Sequence, residues 1–312
     1  MPRCYIVDEM HPALMQGLDA AGIGYTYAPQ AGRAEVLANI GAYAGIVVRS
    51  KLKLDSAFFA AATALRWVAR AGAGTDNIDT VEAARRGITL LNAPEGNRDA
   101  VAEHCMGLLL ALLNHIPQAD AEVRQGLWQR EANRGHELLG KTVGLIGYGN
   151  MGRAFARRLA AFGCRVLAYD KYLTDWPDGK AERSSLEEIW AVADILSLHV
   201  PLTEETRHMV NHDFYQRFVR PVWVINTSRG EVLPLQGLHL ALQEGKVRGA
   251  ALDVLEEEDF TRTTAHQNEV LKSLQESQKV IFSPHVAGWT VESYRRISEV
   301  LLEKILQLVQ QG

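Results

Sequence analysis

The chain has 312 residues, enough for two compact domains at about 150 residues each, with one large α/β barrel as the competing arrangement. Apolar residues make up 47% and charged residues 22%, beside 26 Gly and 10 Pro, a mix that excludes disordered, collagen-like and mucin-like chains. Lys and Arg (33) against Asp and Glu (37) leave a net charge of −4 with no basic block, which argues against nucleic acid as a partner.

Cys4, Cys105 and Cys164 are odd in number and far apart, so they form neither a disulfide framework nor a Cys-x-x-Cys metal or redox pair, and no metal is expected. The chain passes at once into Cys4-Tyr5-Ile6-Val7-Asp8, which reads as a strand rather than an export segment. Its longest apolar stretch, Met106 to Leu113, falls short of the ~20 residues that span a bilayer. A cytoplasmic protein without a membrane partner is the expectation.

From Cys4 to Ala93, β-rich runs alternate with helical stretches: Tyr5-Ile6-Val7, an amphipathic stretch from Pro12, Gly45 to Val48, a helix near Asp55 to Ala64, Trp67-Val68-Ala69 and Ile88 to Leu91. That alternation predicts a parallel sheet with helices on both faces. Asp99 to Asn114 reads as a long apolar helix, bounded by Pro94 and Gly96 before it and Pro117 after it. It bridges two units and offers Cys105 to Leu113 to a subunit interface. A second α/β pattern follows, with strands at Thr142 to Ile146, Arg165 to Tyr169, Ile195 to Leu198, Val222 to Ile225, Gly249 to Leu252 and Val280 to Phe282, the count of a dinucleotide-binding sheet. Ile297, Val300, Leu301, Ile305 and Leu308 then recur at helical spacing and are expected to pack back on the first unit. The predicted domains are 1–98 with 288–312, and 99–287.

Gly147-Tyr148-Gly149-Asn150-Met151-Gly152 ends a predicted strand and opens a helix (Arg153 to Phe162), and Asp170 ends the next strand, all at βαβ spacing. Gly147 permits the tight turn, Gly149 lets backbone amides approach a pyrophosphate, and Gly152 allows close helix packing, while the helix N-terminus supplies partial positive charge. Asp170 would accept from both adenosine-ribose hydroxyls and repel a 2′-phosphate, which favours NAD over NADP, with Lys171 able to soften the preference. Arg157 and Arg158 read as a solvated helix face.

Several segments together are similar to the D-isomer-specific 2-hydroxyacid dehydrogenases over nearly the whole chain: Val48-Arg49-Ser50, Arg70 to Asp79, Asn92-Ala93-Pro94, Ala102-Glu103, the glycine loop, Leu198 to Thr203, Ile225 to Gly230 and Ser283-Pro284-His285. The resemblance implies two Rossmann-like or flavodoxin-like doubly wound parallel-sheet domains with a cleft between them, closing on an NAD cofactor and a small-molecule substrate, and a homodimer. It also implies a catalytic set of Arg229, Glu258 and His285. Removing a hydroxyl proton while hydride leaves C2 calls for a base of near-neutral pKa, the part assigned to His285. A carboxylate beside it, Glu258, would orient the ring and stabilise the imidazolium. Arg229 would hold the substrate carboxylate and polarise the C2 oxygen through its rigid fork of donors. Glu256 and Glu257 remain substitutes for Glu258, because the run Glu256 to Asp259 lacks the Pro that usually follows the family's Glu. The implied cofactor set adds His199, Pro201, Thr206, Thr227, Asp253, His285 and Gly288 to the glycine loop and Asp170. The implied substrate set is Arg49, Ser50, Ala73, Gly74, Asn97 and Arg130.

Asn114 to Ala119, Gly126 to Arg130 and Gly135 to Thr142 look most like the 3-phosphoglycerate dehydrogenases of serine biosynthesis. A phosphorylated substrate needs cationic donors beyond Arg229, with Arg49 first and Arg130 and Arg134 reaching from a neighbouring subunit. No serine-binding regulatory extension is expected. The alternatives are a hydroxypyruvate/glyoxylate reductase, a broad D-2-hydroxyacid dehydrogenase, or a non-catalytic NAD-sensing corepressor of the same fold. Phe260 to Gln278 is longer and more polar than usual. Trp289 stands where the family commonly has a small residue and reads either as shaping the substrate mouth or as a packing anchor.

Overall fold

A computed structural model describes residues 3–176 and 179–311 and divides the chain into two units, one up to Arg98 together with the residues from Trp289 onward, the other Asp99–Gly288.

In the first unit, five parallel strands lie in the order β2-β1-β3-β4-β5: β1 (Cys4–Ile6), β2 (Tyr25–Tyr27), β3 (Gly45–Val48), β4 (Trp67–Arg70) and β5 (Thr89–Asn92). This is the 2-1-3-4-5 order of a flavodoxin-like sheet. Helices α1 (Pro12–Ala20), α2 (Arg33–Asn39), α3 (Ser56–Ala61) and α4 (Thr80–Arg85) connect the strands. The four residues of β3 are all buried, as a strand covered on both faces must be. One apolar layer gathers Phe58, Phe59, Ile46 and Val48, and the other gathers Ile6, Leu14, Leu18 and Val47 with Ile297, Leu301 and Ile305 of the C-terminal helix (Val291–Gln311). The helical stripe read in the sequence therefore does pack on this unit. The β2 edge strand, which the sequence reading omitted, is three residues long and half covered, too short to show an alternation.

Helix α5 (Pro94–Leu113) starts at Pro94, five residues before the expected position. Proline suits the first turn, where its missing N–H is not needed. Gly96 lies inside the helix because a Cβ there would stand 2.7 Å from the Ile297 backbone.

The second unit carries seven parallel strands in the order β12-β11-β10-β9-β6-β7-β8. They are β6 (Thr142–Ile146), β7 (Arg165–Tyr169), β8 (Glu182–Arg183), β9 (Ile195–Leu198), β10 (Val222–Asn226), β11 (Val247–Leu252) and β12 (Val280–Phe282). Read from β6, this is the 3-2-1-4-5-6 order of a Rossmann sheet with one strand added, and it reverses between β6 and β9. Helices α6 (Ile116–Arg124), α7 (Asn150–Ala161), α8 (Leu186–Val192), α9 (His212–Gln216), α10 (Leu235–Gln243) and α11 (Ala265–Glu276) complete the unit. The two parallel α/β sheets are the fold class expected. Only β8, an exposed pair of residues at the sheet edge, was absent from the strands read in the sequence.

Two local expectations fail for the same reason, that a partner invisible in the sequence satisfies the side chain. Cys105, Met106, Leu108, Leu109, Leu112 and Leu113 of α5 are buried in the second unit's own core, so they are not the apolar surface of a subunit interface. Arg158 is not solvated: its Nη2 donates to Asp99 (3.1 Å) and Glu103 (2.9 Å), joining α7 to α5. Arg157 is exposed as expected. Among the described residues no single helix is long and apolar enough to cross a membrane, and no cluster of three His, Cys, Asp or Glu could hold a metal.

Candidate functional site

The second unit builds its glycine loop at the β6–β9 reversal. Gly147 takes φ +95° and donates its N–H to Tyr169 O at 2.8 Å, while a Cβ there would stand 2.5 Å from His199 O. A Cβ at Gly152 would stand 2.2 Å from Gly147 O. Gly149 is different: nothing lies within 4 Å of its Cβ position, and as the N-cap of α7 it accepts no side-chain capping bond. Gly149 thus leaves open space beside the first turn of α7, which begins with Asn150 and Met151 at the positive end of a twelve-residue helix. That cradle fits a dinucleotide pyrophosphate.

Tyr148 is fully buried, stacked on Trp176 at 4.6 Å, and its N–H donates to Asp170 Oδ2 at 2.8 Å. It braces the loop from behind, so its ring is not a ligand contact. Asp170 Oδ1 accepts from the Tyr172 and Leu173 amides at 3.0 Å each. Three backbone amides therefore fix the orientation of this carboxylate at the end of β7. Lys171 is tied to Glu205 at 2.6 Å, and Tyr172 OH donates to the same carboxylate at 2.6 Å, so the Lys171 charge is neutralised at its neighbour.

His199, just past β9, holds Ser197 Oγ at 3.0 Å, and burial pushes its imidazole pKa down to about 4, leaving it neutral at pH 7. Thr206 closes the 201–206 turn, its hydroxyl donating to Pro201 O at 2.6 Å and accepting from Thr203 N at 2.8 Å. Thr227 follows β10, with its hydroxyl 3.2 Å from the buried Cys105 thiol. Burial pushes that thiol up to about 12, which makes Cys105 a packing residue rather than a nucleophile.

Arg229, Glu258 and His285 come together in this unit from three loops past the C-terminal ends of β10, β11 and β12. Asn226 holds the first loop, accepting from Ser228 N at 3.0 Å and Ser228 Oγ at 2.8 Å and donating to Arg229 O at 3.0 Å. Gly230 then lets the second loop close in, since a Cβ there would stand 1.9 Å from Leu255 C and O. In the third loop, His285 sits at φ +53° with its N–H donating to Asp253 O at 2.8 Å. Its Nδ1 lies 2.9 and 3.0 Å from the two oxygens of Glu258, both side chains being 48% exposed. The acidic run is sorted by its partners: Glu256 accepts from Leu235 N at 2.6 Å and Glu257 from Asp259 N at 2.9 Å, which leaves Glu258 as the one on His285.

The hydrogen bond with Glu258 raises the pKa of His285 above its ordinary value despite burial; the charges of Glu258 and Asp253 add to the rise and that of Arg229 opposes it.

Asp253 is 1% exposed and spent on the protein itself: Oδ1 accepts from Ser283 Oγ (2.5 Å) and Val286 N (3.0 Å), Oδ2 from Ala287 N (2.9 Å). Its place is to hold the 283–287 turn that carries His285. Burial works to raise its pKa, but the bonds from His104, Ser283 and the Ala287 and Val286 amides outweigh it and keep the carboxyl below its ordinary range. His104, 2.9 Å from Ser283 Oγ, extends this support from α5. The sequence reading missed it because no spacing links α5 to residue 283. Gly288 ends the same turn and the unit.

Arg130 and Arg134 are exposed in the second unit, Arg134 pairing with Glu131 at 2.5 Å. Arg49, Ser50, Ala73, Gly74 and Asn97 belong to the first unit. Asn92 Nδ2 anchors the Ala73 carbonyl at 2.8 Å, Ser50 is exposed, and Asn97 Oδ1 is buried with no partner among the described residues. Arg49, at the end of β3, gives its N–H to Asp8 (2.6 Å) and its carbonyl to Asn77 Nδ2 (3.0 Å). Its guanidinium lies 4.0 Å over the Trp289 ring and 5.6 Å from that of Tyr294.

Residues 106–287 match the family described as D-isomer specific 2-hydroxyacid dehydrogenase, NAD binding domain. Hydroxypyruvate reductase of Thermotoga maritima is 40% identical over 264 residues, which cover 84% of this chain and 83% of that protein. D-3-phosphoglycerate dehydrogenase of Archaeoglobus fulgidus is 36% identical over 281 residues, 88% of this chain but 51% of that protein, so the chain spans about half the length of such relatives. Among solved structures, an NADPH-dependent glyoxylate/hydroxypyruvate reductase from Sinorhizobium meliloti in complex with NADP and malonate superposes with a TM-score of 0.82 at 31% identity, covering 100% of this chain and 94% of that one. With more than half of its residues inside the family match and 40% identity to a relative over 84% of its own length, the chain belongs to the D-isomer specific 2-hydroxyacid dehydrogenases and binds NAD through its second unit.

Proposed function

We propose that the chain interconverts 3-phosphoglycerate and phosphohydroxypyruvate with NAD, the entry step of serine biosynthesis, as a homodimer in the cytoplasm. Bound NAD supplies the hydride acceptor. Arg229 binds the substrate carboxylate and polarises the C2 oxygen as a fixed bidentate cation. His285, with Nδ1 committed to Glu258, takes the hydroxyl proton at Nε2 during oxidation and returns it during reduction. Glu258 orients the ring and stabilises the imidazolium. Asp170 receives the adenosine ribose and repels a 2′-phosphate, and the pairing of Lys171 with Glu205 offsets a neighbouring cation that would favour NADP.

The observation that carries the phosphate in this reading is Arg49. Its backbone is anchored on both sides, and among the described residues its guanidinium makes no ion pair or hydrogen bond. Such a group is prepared for an anion from outside the chain. Dimerisation is supported by Ile116, Val123, Leu127, Trp128 and Leu139, large apolar side chains all exposed in α6 and the segment after it. A second reading, a hydroxypyruvate reductase, is favoured by the 40% identity to the Thermotoga protein, whose length the chain nearly spans.

Initial rates of NADH oxidation with phosphohydroxypyruvate, hydroxypyruvate, glyoxylate and pyruvate at matched concentrations separate the two. A strong preference for the phosphorylated acid is expected. A preference for the others keeps the dehydrogenase chemistry and rejects the phosphate.

A further inference from the structure

Trp289 is half exposed at 50% and directly precedes a capped helix start. The next residue, Thr290, caps the C-terminal helix reciprocally with Ser293: Thr290 N donates to Ser293 Oγ (2.9 Å) and Ser293 N to Thr290 Oγ1 (3.0 Å). Tyr294, one residue further, has its ring 5.6 Å from that of Trp289 and edge-on to His11 at 5.7 Å. His11 in turn caps α1 by accepting from Ala13 N. Two helix starts thus fix two aromatic rings, and the Arg49 guanidinium lies against both. The carboxylates of Asp8 and Glu9 act on the Arg49 guanidinium as charges without pairing with it, and Asp8 Oδ2 accepts from the Arg49 amide.

A guanidinium stacked on an indole uses its face and leaves its in-plane N–H edge for oxygens. The stack also removes in advance the rotamer freedom that a free Arg side chain loses when it grips an anion. We infer that Trp289 and Tyr294 form an aromatic seat that locks the plane of Arg49, and that this seat sets the preference for keto acids bearing a second anionic group over those with a neutral tail. Trp289 and Tyr294 are positioning residues, acting through Arg49. The inference rests on the reading above that Arg49 receives the phosphate, and deepens it by naming what makes Arg49 selective.

The test compares kcat and KM for phosphohydroxypyruvate and hydroxypyruvate in the full-length enzyme and its Arg49→Ala, Trp289→Ala and Trp289→Phe variants. Trp289→Ala should lower the phosphorylated-to-neutral ratio of kcat/KM about 2- to 30-fold, the worth of one cation–π contact, through KM for the phosphorylated acid alone. Trp289→Phe, which keeps an aromatic face, should recover most of the ratio, and Arg49→Ala should lower it further than Trp289→Ala. If Arg49→Ala collapses the ratio while Trp289→Ala leaves it unchanged, or lowers both substrates equally, the seat is refuted and the Arg49 reading stands. If Arg49→Ala leaves the ratio unchanged, or the unmodified enzyme does not turn over phosphohydroxypyruvate, the phosphate reading fails and takes the seat with it.

Discussion

Gly230→Ala tests whether the close approach of two loops is what keeps Glu258 on His285. Gly230 is buried and outside the positive-φ residues, so an alanine there is strained by space alone. Its Cβ would stand 1.9 Å from Leu255 C and O and 2.5 Å from Glu256 N, all backbone atoms, and ordinary contact begins near 3.4 Å. The 255–258 segment must therefore retreat by about 1.5 Å, the difference between those two distances. Added to the 2.9 Å between Glu258 and His285, such a retreat carries the carboxylate beyond hydrogen-bond reach. Overpacking of this kind costs about 1–3 kcal/mol, and at about 2–4 °C per kcal/mol for a unit of this size Tm should drop by about 2–12 °C. Misplacement on this scale costs about 10²-fold in turnover. Calorimetry and steady-state kcat with NADH and the preferred keto acid measure both effects. A variant that melts and turns over like the parent refutes the steric argument, and one that melts early but keeps full turnover refutes the link between Gly230 and the Glu258–His285 pair.

His285→Ala should lower kcat about 10²- to 10⁴-fold while NADH binding, followed by fluorescence titration, survives; near-normal turnover would remove His285 from proton transfer. Reduction needs the imidazolium, so its rate falls as pH rises through the His285 pKa, which Glu258 holds above the ordinary value. Glu258→Gln removes the charge that raises it, and the alkaline limb of the kcat/KM profile should move to lower pH, as should the acid limb for oxidation; limbs that stay in place would show that Glu258 does not control the ring. Asp170→Ala should relax the NAD preference toward NADP, read as the ratio of kcat/KM for the two cofactors, although the lost bonds to Tyr148, Tyr172 and Leu173 will also loosen the glycine loop. An unchanged ratio would shift the discrimination to another part of the 170–173 turn.

Strands with continuous apolar runs and glycines at fixed offsets are legible one segment at a time, because burial on both faces and close backbone approach leave a local signature. For that reason the chain order alone determined the parallel sheets, the dinucleotide loop and the family to which the chain belongs. The short edge strands β2 and β8 left no such signature, being two or three residues long with exposed or half-covered side chains. The apolar run in α5 likewise says that most of Cys105 to Leu113 is buried, but not against what, and its cover is the second unit's own core.

The candidate site divides along the same line. Residue types announce the chemistry, since an Arg, an acidic run and a Ser-Pro-His segment already suit proton transfer beside a bound carboxylate. An acidic run in a loop has no period, so the choice of Glu258 over Glu256 and Glu257 was made by Gly230, the Leu235 amide and the 283–287 turn braced by Asp253. The stacking of Arg49 on Trp289 joins residues 240 positions apart, a contact that exists only after β3 and the start of the C-terminal helix have folded into the same unit. Local geometry is written in neighbouring residues, whereas charge pairing and stacking depend on which distant loops the sheets deliver to one place.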